Sequence, residues 1–207
     1  MPDNSVLVFT PSARRAQAER GSSKAYERKT AVGFADRATP ELAEFLTGID
    51  TAFLGTVSEA GAPYIQHRGG PKGFIKVVDE KTLGFADYRG NRQYITLGNL
   101  AENDRAFIFL MDYANQQRIK LWGRARVVED DPALLARLAP EGYDGVPEQA
   151  ILFTVEAWDA NCRQHIPQLF AADDVAAAIG KLQARIAELE SALAAARQER
   201  APAAPPG

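Results

Sequence analysis

Phe53-Leu54-Gly55-Thr56-Val57-Ser58, then Glu59-Ala60-Gly61-Ala62, then Pro63-Tyr64-Ile65-Gln66-His67, is the stretch that decides the fold. Apolar residues alternate with others on both sides of a glycine-bearing turn, the signature of an antiparallel hairpin with one face buried. Working outward, Gly73–Val78 reads as a third strand, with Asp79-Glu80-Lys81 as its turn, and Thr82–Asp87 as the fourth. A break at Arg89-Gly90-Asn91 leads to a short helix over Gln93–Leu100. Ala106–Met111 is the most apolar strand and is expected at the centre of the sheet. Arg118–Val128 follows as a long strand with a bend or bulge at Gly123. Asp131-Pro132 starts a helix through Leu138, and Ala150–Trp158 is the last strand. Short strands without regular strand–helix alternation predict a mainly β fold, an antiparallel barrel rather than a doubly wound sheet.

Upstream, Thr39-Pro40-Glu41 has the marks of a helix start: a hydroxyl cap, proline in the first turn and a carboxylate at the positive end of the dipole. Residues 1–38 are polar and rich in Arg, Ser and Ala. They read as an arm with one or two short helices around Gly21-Ser22-Ser23, needing a core or partner to lie on. The barrel is expected over 39–170, a separate helix over 173–200 and a disordered Pro/Ala tail over 201–207. In that helix Val175, Ile179, Leu182, Ile186, Leu189 and Leu193 make a heptad seam, with Ile179 and Ile186 at one core position and Leu182 and Leu189 at the other. This combination suits a parallel two-stranded coil, with Arg185 and Glu190 as flanking charges, although an amphipathic helix on its own barrel has a similar pattern.

The chain has 207 residues, 46% hydrophobic and 25% charged, with a net charge of −3. That composition excludes a disordered or collagen-like chain and argues against a dedicated nucleic-acid binder. No stretch approaches the roughly 18 consecutive apolar residues of a membrane span, and the N-terminus lacks the layout of a secretory signal. A soluble, cytoplasmic protein is expected. One cysteine and two histidines cannot form a structural zinc site or an internal disulfide, so no metal site is predicted.

No dinucleotide, P-loop, nucleophile-elbow or zincin signature is present. Unusual residues gather instead in three places. Gln66-His67-Arg68-Gly69-Gly70-Pro71-Lys72-Gly73-Phe74-Ile75-Lys76 combines a glycine-rich bend, which admits close backbone approach, with cations suited to an anionic group. Gly90-Asn91-Arg92-Gln93 places an arginine and backbone amides where a helix begins, a natural phosphate site, with Asn91 also placed to cap the helix. Trp158-Asp159-Ala160-Asn161-Cys162-Arg163-Gln164-His165-Ile166 gathers scarce residue types after the last strand; Cys162 reads better as a structural thiol than as a nucleophile.

The ordered set F-L-G-T-V, G-A-P-Y-I-Q-H-R-G-G-P-K-G-F-I-K-V-V-D, L-G-F-A-D-Y-R-G-N-R-Q-Y, N-D-R-A-F-I-F-L-M-D-Y and I-K-L-W-G-R-A-R-V-V resembles the pyridoxamine 5′-phosphate oxidase-like flavoproteins. The likeness extends from about residue 5 to 170, and the Asn161–Ile166 segment resembles that of a bacterial branch. It implies a split-barrel homodimer holding two FMN molecules at the subunit interface. By position it assigns Phe74, Ile75 and Lys76 to the strand beneath the flavin, Ala86 and Asp87 to the ring, and Asn91, Arg92 and Gln93 to the phosphate. Arg118 stands where the oxidase has a flavin-contacting Gln, and Trp158 where it has an aromatic from the second subunit. His67 and His165 become the candidate catalytic groups, with Arg68 and Gln164 shaping the pocket. The oxidase's own substrate motif is not reproduced, so the implied activity is an FMN-dependent oxidation or reduction of another small molecule, with NADH or NADPH as candidate electron donor. A non-catalytic flavin- or haem-binding protein and a deazaflavin-dependent reductase on the same barrel remain open alternatives.

Overall fold

The computed structural model describes residues 4–160 and 163–199, in two units that divide between Ile166 and Pro167. In the first, the arm holds α1 (Ser5–Val8), α2 (Pro11–Glu19) and α3 (Ser23–Val32). α4 (Pro40–Thr47) begins as expected: the Thr39 hydroxyl accepts from the Leu42 amide, with Pro40 in the first turn. The sheet is β1 (Thr51–Val57), β2 (Pro63–Gly69), β3 (Lys76–Val77), β4 (Thr82–Tyr88), β5 (Arg105–Asp112), β6 (Gln117–Val128) and β7 (Pro147–Ala160), with α5 (Ile95–Glu102) before β5 and α6 (Pro132–Leu138) before β7.

All pairings are antiparallel, in the order β2-β1-β5-β6-β7-β4-β3. β2 and β4 stand first and sixth in that order, yet the Arg68 guanidinium of β2 reaches the Asp87 carboxylate of β4. Leu54 and Ile108 from one end share a core with Leu83, Phe85 and Phe153 from the other. The sheet therefore curls on itself into a split barrel, mainly β, with the split between β2 and β4 bridged by an ion pair. At Gly123 the β6–β7 register shifts, leaving Glu156 as the extra residue of a bulge. A Cβ on Gly123 would lie 2.0 Å from the Thr154 carbonyl oxygen, so only glycine fits there.

Several sequence expectations are corrected. The third strand covers only Lys76–Val77. Gly70 and Gly73 donate their amides to the Asp50 and Ile49 carbonyls at 3.1 and 2.8 Å, and the following Phe74 and Ile75 turn into the core, 1% and 3% exposed. β5 lies beside the central β6 and buries one face only, in strict alternation. Arg92 and Tyr94 adopt positive φ, 58° and 53°, which interrupts helical geometry and delays α5 to Ile95. Asn91 consequently accepts from the Gln93 amide in a turn and does not cap α5.

The outer face of the sheet has two parts. Over β4 and β7, α6 packs on Ala86, Ala150 and Leu152 through Leu138, so both faces are buried. Over β1, β5 and β6, half-buried Phe53, Phe107, Phe109 and Trp122 remain, and Ile65 of β2 is 69% exposed. The arm covers only part of this face: Phe34 packs on Trp122, Phe9 on Phe34. Asn4 fixes the arm's start, donating to the Phe34 and Glu156 carbonyls and accepting from the Phe34 amide, all within 2.9 Å. Farther on, Lys29 pairs with Asp159, and the Asp36 carboxylate, hydrogen-bonded by Lys81, is held below its ordinary pKa. The second unit contains α7 (Ala172–Glu199). Among the described residues, no helix is long and apolar enough to cross a membrane. The predicted tail over 201–207 lies outside the described residues.

Candidate functional site

A polar cleft opens at the split of the barrel. β2 contributes Gln66 and Arg68 from its inner face, β4 contributes Asp87 and Tyr88, and β7 contributes Glu148 and Gln149. The loop from Gly90 to Tyr94 and the first turn of α5 complete the wall. Gln66 is fixed by Tyr64 and Thr96, whose hydroxyls donate to its Oε1 at 2.9 and 3.3 Å. Asp87 accepts from Arg68 and, at 2.9 Å, from Gln149, its partner across the β4–β7 ladder. Two buried acceptor oxygens are thereby paired, which satisfies a carboxylate that is only 7% exposed.

One donor in this cleft is not satisfied. Among the described residues, the buried side-chain polar atoms with no hydrogen-bond partner are Arg68 Nε, in the cleft, and the Tyr88 hydroxyl, whose ring packs on the outer side of the sheet against the α6 cluster and Tyr143. Burial raises the Tyr88 pKa, with Tyr143 adding to the effect. At the rim Glu148 Oε1 accepts from Arg89 Nε at 2.6 Å and stands 3.7 Å from Arg92 Nη2. An anion entering here meets an exposed Arg92 held only by a long contact to Glu148. The cleft itself holds about 50 Å³, room for a phosphate-sized group but far below the several hundred Å³ of a site that encloses a whole cofactor.

Of the residues singled out from the sequence, Arg68, Asp87, Asn91, Arg92 and Gln93 come together at this cleft. The others do not. Ala86 is buried beneath α6, Phe74 and Ile75 belong to the core, and Lys76 is exposed on β3 at the sheet edge. His67 points to the outer face, edge-on to Phe53. Arg118 and Trp158 line a separate groove of about 540 Å³ with Arg163, Glu41 and Glu44, and Trp158 donates its indole N–H to the Arg37 carbonyl at 2.9 Å. Gln164 and His165 are exposed just beyond it, His165 with φ 62°; Asn161 and Cys162 lie outside the described residues. Sequence reasoning missed Tyr88, Glu148 and Gln149. Tyr88 adjoins Asp87 in the same motif and was within reach, whereas Glu148 and Gln149 enter only through pairing of distant strands. Among the described residues, no cluster of His, Cys, Asp and Glu could hold a metal ion.

The fold that these strands define is an antiparallel split barrel with a polar cleft at its seam. The family model described as pyridoxamine 5′-phosphate oxidase matches residues 38–162, and the chain belongs to that family. No curated protein matches it. Similar solved structures include HupZ of Group A Streptococcus (19% identity, 64% of this chain and 98% of that one, TM-score 0.49). An FMN-binding protein of Syntrophomonas wolfei shares 13% identity over 73% of this chain and 95% of its own, with a TM-score of 0.45. HutZ, the heme storage protein of Vibrio cholerae, shares 16% over 59% and 94%, with a TM-score of 0.41.

Proposed function

We propose that the protein is an FMN-dependent oxidoreductase that works as a homodimer on a small organic substrate. The observation that supports this most is the unsatisfied buried donor Arg68 Nε in the same cleft as Arg92. Leaving buried donors unpaired costs free energy that an acceptor-rich ligand would remove. The residues therefore fit FMN: Arg92, with the Asn91–Gln93 turn, takes the phosphate, and Arg68 donates to an oxygen deeper in the cleft. The small volume leaves the ring system outside this cleft, against a second copy of the chain, in keeping with the aromatic outer face of β1 and β5. In this reading Arg118, Trp158 and Gln164 wall the ring from the other subunit. His67 and His165, both exposed, supply hydrogen bonds or a proton to the substrate, and Lys76 and the Ala86 backbone stay at the margin. When bound, the flavin supplies hydride acceptance or donation.

The test is titration of flavin-free protein with FMN, followed by quenching of flavin fluorescence. Arg92→Ala should weaken binding by about 1.5–3 kcal/mol through loss of a charge-assisted contact. Riboflavin, which lacks the phosphate, should bind weakly to both forms and barely register the substitution. Equal affinity for FMN and riboflavin, or haem or a deazaflavin as the ligand carried through purification, overturns the reading. Reduction of the bound flavin by NADH or NADPH then separates an enzyme from a storage protein.

A further inference from the structure

α7 runs for 28 residues, and its large apolar side chains form one stripe from Val175 to Leu193. Each is exposed, from 42% at Val175 to 65% at Leu182. At 1.5 Å per residue the stripe is roughly 27 Å long. Alternating spacings of four and three make it as narrow as a coiled-coil seam, narrower than the face of a helix laid on a globular core. We propose that α7 pairs in parallel, in register, with α7 of a second copy of the chain.

Two features select that occupant. β-branched Ile179 and Ile186 occupy one core position and Leu182 and Leu189 the other, the distribution that favours two parallel strands. The flanking charges agree. Arg185 immediately precedes one core isoleucine and Glu190 immediately follows a core leucine, so a parallel pair sets Arg185 against Glu190 of the partner subunit, twice by symmetry. An antiparallel pair sets like positions against each other and loses this match. Within its own helix Arg185 also bonds Glu188 at 2.8 Å, so the test must separate the two roles.

In the full-length chain carrying Cys162→Ser, Ile179→Cys places a thiol on the seam, away from the helix midpoint. Two such positions face each other only when the helices are parallel and in register, and there they meet disulfide geometry. Mild oxidation should convert most of the protein to a linked dimer on a non-reducing gel, whereas Ala177→Cys, on the opposite face, should link slowly. Arg185→Glu should slow linkage of the Ile179→Cys protein about threefold or more, and adding Glu190→Arg should restore it. Equal linkage at 177 and 179, or none at 179, overturns the proposal. So does a double swap as slow as the single one, which would confine Arg185 to Glu188. Flavin retention, measured on the same samples, reports separately on the cleft.

Discussion

The two parts of the outer sheet face are built from the same alternating strands but finished differently. On β4 and β7 the residues that point away from the barrel are Gly84, Ala86, Ala150 and Leu152, small or aliphatic, and α6 lies on them. On β1, β5 and β6 they are Phe53, Phe107, Phe109, Lys120 and Trp122, half-buried with only the arm across one side. Lys120 shows the environment there: its ammonium sits 5.3 Å from the Trp122 ring centre, and burial lowers its pKa despite the nearby Asp159. One part is covered by the chain's own helix. The other leaves aromatic side chains half-buried and Ile65 exposed, the face that the proposed dimer would cover.

Substitutions can break this comparison, starting with the largest effect. Leu138→Ala removes the contact through which α6 covers its part of the sheet, and should lower unfolding free energy by about 2–5 kcal/mol. Denaturant unfolding at two protein concentrations checks it, since the loss should be the same at both. Phe107→Asp should act in the opposite sense: the barrel stays folded, while self-association weakens by about 2 kcal/mol or more and flavin retention falls with it. Light scattering after size exclusion reads this directly, and an unchanged dimer would remove β5 from the subunit contact. The smallest effect belongs to Tyr88→Phe, within the part that α6 covers. It should be neutral or stabilising by up to about 1 kcal/mol, because an unsatisfied buried hydroxyl disappears, and FMN affinity should not change. A variant destabilised without ligand would mean that the hydroxyl already has a partner.

Much of this was legible in local sequence because local chemistry dictated it. Thr39-Pro40 capped and opened a helix, Asp131 did the same for α6 by accepting from the Leu134 amide, and Gly123 marked the bulge. The seven strands followed from alternation. What escaped depended on groups distant in sequence. Phe74 and Ile75 look like strand residues, but the preceding glycine amides bond to the α4–β1 connection, and the two side chains fill the barrel end. α5 starts late because Arg92 and Tyr94 take left-handed conformations that nothing in their identity requires. The cleft mixes the two cases. Asn91, Arg92 and Gln93 are contiguous and visible, while Asp87 meets Gln149 only after β4 pairs with β7. His67 and Arg68 illustrate the limit of reading by proximity, because adjacent strand residues face opposite ways, and only Arg68 enters the cleft.

The Asn4 clamp also constrains the order of events during synthesis. Its side chain bonds to the carbonyl of a residue 152 positions later, on the strand that also supplies the partner of both β4 and β6. A ribosome must therefore release nearly the whole barrel before the arm, made earlier, can close this clamp. Until β7 emerges, β4 lacks its principal neighbour, β6 has one open edge, and the Asn4 side chain lacks its Glu156 acceptor. The chain should acquire its structure late and almost at once, with the nascent arm exposed for most of translation.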